Sequence, residues 1–301
     1  MTAYTVGVDV GGTKVAAVLV DEAGDVVRRC RKGTESGTYS GLLAGIVSAT
    51  TEVCEGLEVA GVGLAIAGNV AADGSHVLFS PHLPLAGEPL ARDLREALGT
   101  PVQIDNDANA AAWCEHEVGA GRGSTEMLMV ALGTGLGAGL VLSNQLYRGH
   151  QGFAGEAGHM TVVIDGRACP CGGRGCWERY ASGTALVAHY LERGGDPEVG
   201  GPGITQAAAA SEALAVAALA DVGEWLGRGL ASLVAILDPE VIVVGGGVSE
   251  AGDLLLDPAR RQFAACVTGA DVRPLPRIVP AQTGNDAGVI GAAMLARQHA
   301  Q

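Results

Sequence analysis

The chain has 301 residues, of which 48% are apolar, and it is long enough for two lobes with substantial interiors. Its formal net charge of −14 repels nucleic-acid phosphates and anionic lipid, so no polynucleotide partner is expected. The opening MTAYTVGVDV lacks the basic and long apolar regions of a secretory leader, and no run of about 18 apolar residues occurs anywhere, so a cytoplasmic chain with no membrane span is expected.

Residues 4–10, 15–20 and a segment near Val26 read as an antiparallel β-meander, with Gly11-Gly12 at the first turn and Asp21 to Gly24 at the second. A helix follows over 42–54 and a buried strand over 59–67. Pro89 opens a helix with Leu90, Leu94 and Leu98 on one face, which Gly99 closes. Residues 101–104 form a strand, Asp105-Asn106-Asp107 ends it, and a helix spans 108–118. The pattern then restarts, with strands at 127–132 and 137–142 around the turn Gly133-Thr134-Gly135. VGVDVGGTKVAAVLV (6–20) and MVALGTGLGAGLVLS (129–143) both read strand, Gly/Thr turn, strand. This weak repeat suggests two similar lobes, although two glycine-rich hairpins can also look alike by chance. Helices are expected over 182–193 and 207–237, and a mobile Gly/Pro-rich surface loop over 194–203. The apolar stretch 213–237 is broken by Asp221, Glu224 and Arg228, so it reads as a buried helix. A buried strand at 241–244 runs into Gly245-Gly246-Gly247. Pro-rich turns fill 271–280, and a last helix covers 287–298. The pattern is mixed α/β.

Five motifs carry chemistry. In Asp9-Val10-Gly11-Gly12-Thr13-Lys14 the adjacent glycines let backbone N–H groups approach an anion, Asp9 can hold a Mg²⁺-bound water, and Thr13 can donate to phosphate oxygens. Its spacing is not that of a Walker A loop. Gly133-Thr134-Gly135-Leu136-Gly137 is followed by β-formers where a dinucleotide motif needs a helix, so a second phosphate-facing hairpin fits better. Either hairpin could also be an ordinary turn. The three glycines at 245–247 would leave a flat opening for a planar base or ribose. At the end of the 101–104 strand, Asp107 could accept a hydroxyl proton and Asn106 could bind a sugar hydroxyl, while Asp107 also reads as the cap of the next helix. The most specific motif is GEAGH (155–159) followed by CPCGGRGCWE (169–178). His159, Cys169, Cys171 and Cys176 form a closed Cys₃His set, the ligand type of structural zinc, with Gly172, Gly173 and Gly175 allowing the wrap. Three cysteines within eight residues point to metal rather than to disulfides. Glu156 and Glu178 flank this knot and are placed to bind vicinal hydroxyls.

In this order the motifs resemble the ROK family of repressors, open reading frames and kinases, and within it the bacterial glucokinases. The resemblance rests on DVGGTK (9–14), IDNDANAAAW (104–113), ALGTGLGAGL (131–140), GEAGHMTVV (155–163), CPCGGRGCWERYASG (169–183), VIVVGGGVS (241–249) and GNDAGVIGAA (284–293). It implies a duplicated actin-like ATPase (ribonuclease H-like) α/β fold with an inter-lobe active-site cleft. It also implies ATP- and Mg²⁺-dependent phosphorylation of a hexose in a dimer or tetramer, glucose first, with mannose, fructose or an N-acetylated amino sugar as the alternative substrates and a non-catalytic sugar-sensing regulator as the alternative of another class. Asp9, Gly11, Gly12, Thr13, Thr134 and Gly135 match the phosphate motifs, and Gly246 and Gly247 the adenosine motif. Asp107 matches the catalytic base. Gly68, Asn106, Glu156, His159 and Glu178 match the sugar-binding residues, and His159 would join metal and sugar. The lobes would span 1–108 and 109–285, with the helix 286–301 packed onto the first. Asn69, Ala157 and His82-Leu83-Pro84-Leu85 depart from the pattern near the sugar, which bears on its identity and not on the reaction.

Overall fold

The computed structural model describes residues 4–11, 14–33 and 37–299. They form two compact units: the described residues within 4–122, 145–154 and 285–299, and residues 123–144 and 155–284.

In the first unit β1 (Tyr4–Val10), β2 (Lys14–Val20) and β3 (Val26–Gly33) form the antiparallel meander. α1 (Tyr39–Cys54) leads to β4 (Val59–Ile66), the short pair β5 (Asn69–Val70) and β6 (Val77–Phe79), α2 (Leu90–Leu98), β7 (Val102–Asn106) and α3 (Asp107–Glu117). The sheet order is β3-β2-β1-β4-β7, with β4 parallel to both β1 and β7. Alternation sends Val6, Val8 and Val10 to one face, where they pack with Leu42, Ile46, Ala49 and Val53 of α1. Each large side chain buried there contributes about 1.5–3 kcal/mol. The other face carries Gly7 and, beside it in register, Gly63.

In the second unit β8 (Met127–Leu132), β9 (Leu136–Leu142) and β10 (Gln145–Leu146, whose residues group with the first unit) are followed by α4 (Gly183–Glu192), α5 (Gly201–Ala209), α6 (Ala213–Leu237), β11 (Val241–Gly245), α7 (Asp253–Cys266) and β12 (Arg277–Pro280). Within it the order β9-β8-β11-β12 repeats β2-β1-β4-β7 of the first sheet, strand for strand and sense for sense, with the first pair antiparallel and the next two parallel. The faint repeat in sequence is therefore a duplicated topology. α6 and α7 meet through small residues: a methyl group at Gly223 would lie 2.5 Å from the Leu255 carbonyl oxygen, and one at Gly227 2.3 Å from that of Ala259. Among the described residues no single helix is long and apolar enough to cross a membrane.

The closing helix, α8 (Ala287–His299), lies on the glycine face of the first sheet. A methyl group at Gly7 would sit 1.8 Å from the Val289 carbonyl oxygen, and one at Gly63 1.9 Å from that of Ala292. These two glycines let helix backbone rest directly on strand backbone.

Several boundaries differ from expectation. Residues 109–122 group with the first unit rather than the second because α3 packs on α8, where a methyl group at Gly291 would meet the Ala110 carbonyl oxygen at 1.8 Å. Residues 145–154 also join it, through contacts with Asp105 and Val70. The expected loop 194–203 ends in the first turn of α5, where Pro202 is tolerated because that N–H has no helical partner to lose. α7 lies where no element was expected; it carries Pro258 inside it, and Leu255, Leu256, Ala259 and Phe263 bury one face of it. β12 emerges from the Pro-rich stretch as an edge strand, the place where a sheet accepts Pro280.

Candidate active site

The first unit sets two strand ends side by side. Asp9 lies on β1 opposite Ala16 and Ala65 on its neighbours, and Gly11 N–H closes the turn on the Lys14 carbonyl at 3.0 Å. Burial pushes the Asp9 carboxyl above the usual carboxylate range, and the charges of Lys14 and Arg31 partly oppose the shift. Gly12 and Thr13, expected to contact phosphate, lie outside the described residues.

Two strands away β7 passes into α3. The cap of α3 is Asn106, not Asp107: its Oδ1 accepts from Ala108 N at 2.9 Å and Asn109 N at 3.0 Å. The other end of the same side chain donates from Nδ2 to the Gly68 carbonyl at 3.0 Å and to Asp107 Oδ1 at 3.1 Å. Asp107, the first residue of α3, is exposed, and its Oδ1 also accepts from Ala108 N. Gly68, Asn106 and Asp107 are thus brought together, with Asn106 as the hub. Gly68 admits no side chain, since a methyl group would lie 2.3 Å from the Phe79 carbonyl oxygen.

In the second unit the β8–β9 turn exposes Gly133 and Thr134. It is held from behind by the start of α4, where Gly183 N donates to the Gly133 carbonyl at 2.8 Å and Thr184 Oγ1 to the Thr134 carbonyl at 2.7 Å. Gly246, at φ +82°, runs against Leu132 so closely that a methyl group would lie 2.5 Å from its carbonyl oxygen, while the space around Gly247 and Gly133 is open. A methyl group at Gly135 would come within 2.7 Å of Glu178 Oε2, which places the hairpin beside the Cys-rich segment.

That segment is a tight knot. Gly172 and Gly175 have φ of +92° and +71°, and a methyl group at Gly175 would collide with the Val163 carbonyl oxygen at 1.7 Å. The donor atoms of His159, Cys169, Cys171 and Cys176 all lie within 4.8 Å of one another. Cys171 and Cys176 Sγ are 3.7 Å apart, and Cys169 Sγ is 3.9 Å from His159 Nδ1. A tetrahedron with Zn–S bonds of about 2.3 Å has edges of about 3.8 Å, so the four donors fit a closed zinc site. Burial, then a hydrogen bond to Glu178 Oε1 at 3.0 Å, holds the Cys169 thiol well above the ordinary thiol range, whereas the Gly173 N–H lowers that of Cys171. Glu156 and Glu178 face His159 from its two ring nitrogens at 3.8 and 3.9 Å.

Residues 5–299 match the ROK family. The chain belongs to the ROK family. A glucokinase of Streptomyces coelicolor is 41% identical to it over 98% of both chains. Among solved structures, a ROK family glucokinase from Streptomyces griseus in complex with glucose and AMPPNP is also 41% identical, with a TM-score of 0.88 over 98% of this chain and all of that one. A ROK hexokinase from Thermus thermophilus is 32% identical, with a TM-score of 0.83 over 98% of each chain. The two matching sheets are the duplicated actin-like ATPase fold of this family.

For a ROK chain, three parts of the site had no clear signal in the sequence. Arg148 reaches Asp105 from 43 residues away. Gly183 and Thr184 brace the second hairpin. Trp177, fully buried between Cys176 and Glu178, anchors the knot by donating from Nε1 to the Trp225 carbonyl of α6 at 2.8 Å. An apolar residue flanked by two chemical ones was the only hint of its role.

Proposed function

We propose that this chain is an ATP-dependent glucokinase that transfers the γ-phosphoryl group of ATP to the 6-hydroxyl of glucose. The observation that carries the reading is the 41% identity, over nearly the whole chain, to a glucokinase that binds glucose and AMPPNP. The geometry supports it. Asp107 stands exposed at the start of α3 and accepts the hydroxyl proton, while Asn106 and Gly68 orient the sugar beside it. Glu156, His159 and Glu178 bind the remaining hydroxyls by charge-assisted hydrogen bonds. Backbone N–H groups at Gly11, Gly12, Thr134 and Gly135, with the Thr13 hydroxyl, donate to phosphate oxygens, and the backbone at Gly246 and the open space beside Gly247 take the adenosine. Asp9 would hold the Mg²⁺ hydration shell, and Mg²⁺ when bound would neutralise charge on the phosphates. His159, Cys169, Cys171 and Cys176 would hold a zinc ion in a structural role, since four protein donors would fill its ligand set.

We further place the protein in the cytoplasm, as a homodimer or homotetramer, without nucleic-acid or membrane partners. The test is an ADP-release assay with ATP·Mg²⁺ against glucose, mannose, fructose, N-acetylglucosamine and N-acetylmannosamine. The highest kcat/KM is expected for glucose. A higher value for another sugar would move the substrate, and no turnover with any of them would overturn the reading.

A further inference from the structure

Asp105 is buried near the end of β7, two residues before Asp107, and both of its carboxylate oxygens are engaged. Its Oδ1 accepts from Asn106 N at 2.8 Å and from Asn109 Nδ2 at 2.9 Å. Its Oδ2 accepts from Arg148 Nε at 2.7 Å and forms an ion pair with Arg148 Nη2 at 2.6 Å. Burying a carboxylate is costly unless a cation and further donors surround it, and here Arg148 is the cation beside it.

Arg148 does not come from a floppy tail. Its carbonyl accepts from Ala154 N at 3.1 Å, closing residues 148–154 into a compact loop. Gly149 and Gly152 take positive φ within it. Gly152 seats the loop on β5, where a methyl group would lie 1.9 Å from the Val70 carbonyl oxygen. β5 is the strand that follows Gly68, the residue whose carbonyl holds the Asn106 amide. One loop thus presses on the segment that presents Gly68 and also grips the carboxylate that holds the Asn106 backbone.

We propose that Arg148 is a positioning residue for the Asn106–Asp107 corner: through Asp105 it fixes the Asn106 backbone, and through Asn106 the carboxylate of Asp107. The inference deepens the kinase reading, since it gives the base-bearing corner its support. A misplacement of about 1 Å in a group that must meet a hydroxyl costs up to about a hundredfold in rate.

Two measurements on the full-length chain decide the proposal. Arg148→Met should lower kcat for glucose about 10- to 100-fold while KM for ATP stays within about twofold, and Arg148→Lys should recover part of the loss. In the same variant, hydrogen exchange at the amides of residues 106–109 should quicken while that of α6 stays unchanged. If the uncompensated Asp105 prevents folding, the pair Asp105→Asn/Arg148→Met removes both charges, and the same slow turnover and quickened exchange are expected of it. A folded variant with wild-type kcat, or with unchanged exchange at 106–109, overturns the proposal. The exchange measurement needs no turnover, so it stands even if the wild-type protein fails to phosphorylate glucose; that outcome would sink the kinase reading alone.

Discussion

A methyl group at Gly229 would lie 2.0 Å from a ring carbon of Trp177. The indole fills the space that any other residue of α6 would claim, and its N–H bonds to the Trp225 carbonyl one turn earlier. Cys176 and Glu178 are its two neighbours in the chain, so the proposed metal donor and the proposed hydroxyl-binding carboxylate inherit their places from one buried ring. Gly229→Ala should therefore destabilise the fold by about 1–3 kcal/mol through overpacking. The same variant should raise KM for glucose more than KM for ATP. Thermal unfolding and steady-state kinetics on one preparation check both, and an unchanged sugar KM would detach Trp177 from the site.

Asp107→Asn keeps the shape of the corner and removes the proposed base. Turnover should fall about 10²- to 10⁴-fold with sugar affinity nearly intact. Calorimetric titration with glucose beside the kinetic assay separates the two quantities. A kcat near that of the wild type would require another proton acceptor.

Cys171→Ser takes away the exposed thiol of the four donors. The bound metal should drop from about one zinc per chain to a small fraction, because a structural site needs all four ligands. Glu156 and Glu178 flank His159, so KM for glucose should rise together with zinc loss. Elemental analysis of wild type and variant, each paired with kinetics, tests the link; a zinc-free wild type with full activity would break it.

Asp9 sets stability against function. Its carboxyl is raised by burial, so the folded chain binds that proton more tightly than the unfolded chain does. The wild-type protein therefore loses stability as pH rises from the ordinary aspartate range through the folded value, and the cost stays in place at neutral pH. Asp9→Asn removes that cost. In magnesium-free buffer the variant should melt higher than wild type at neutral pH, and the difference should shrink on acidification as wild-type Asp9 becomes neutral. Phosphoryl transfer should be lost throughout. A lower melting temperature for the variant at neutral pH would mean that the Lys14 and Arg31 charges outweigh burial.

Gly63→Val tests the seat of α8. With 1.9 Å to a backbone oxygen there is no rotamer that fits, so a loss of about 3 kcal/mol is expected in chemical denaturation. Stability within error of wild type would show that the helix can rise off the sheet.

The parts of this molecule that were legible in its sequence are those whose cause is local. The Gly/Thr hairpins, the capped helix at 90–98 and the cysteine knot each announce themselves within about a dozen residues, because turn geometry and metal ligation are short-range demands. The rest depends on partners far along the chain. Gly7 and Gly63 look like weak points in two strands until a helix backbone is laid across them. Pro258 looks like an end of structure until the apolar face around it finds α6. Asp105 reads as one more turn residue beside the Asn-Asp pair, and only the fold supplies its arginine. The exchange of roles at the α3 start has the same origin: both Asn106 and Asp107 are good caps, and the Gly68 carbonyl decides which one turns inward.

The bare strip over Gly7 and Gly63 has a consequence for how the protein is made. Its cover, α8, is encoded more than two hundred residues after those strands. At ribosomal speeds of about 5–20 residues per second, the first sheet waits on the order of ten seconds or more with that side uncovered, while the whole of the second unit is synthesised. Val18 and Val20, which α8 finally shields, are held open to solvent and to chaperones during that interval. The nascent chain thus holds a half-built first unit and a second unit free to mature ahead of it.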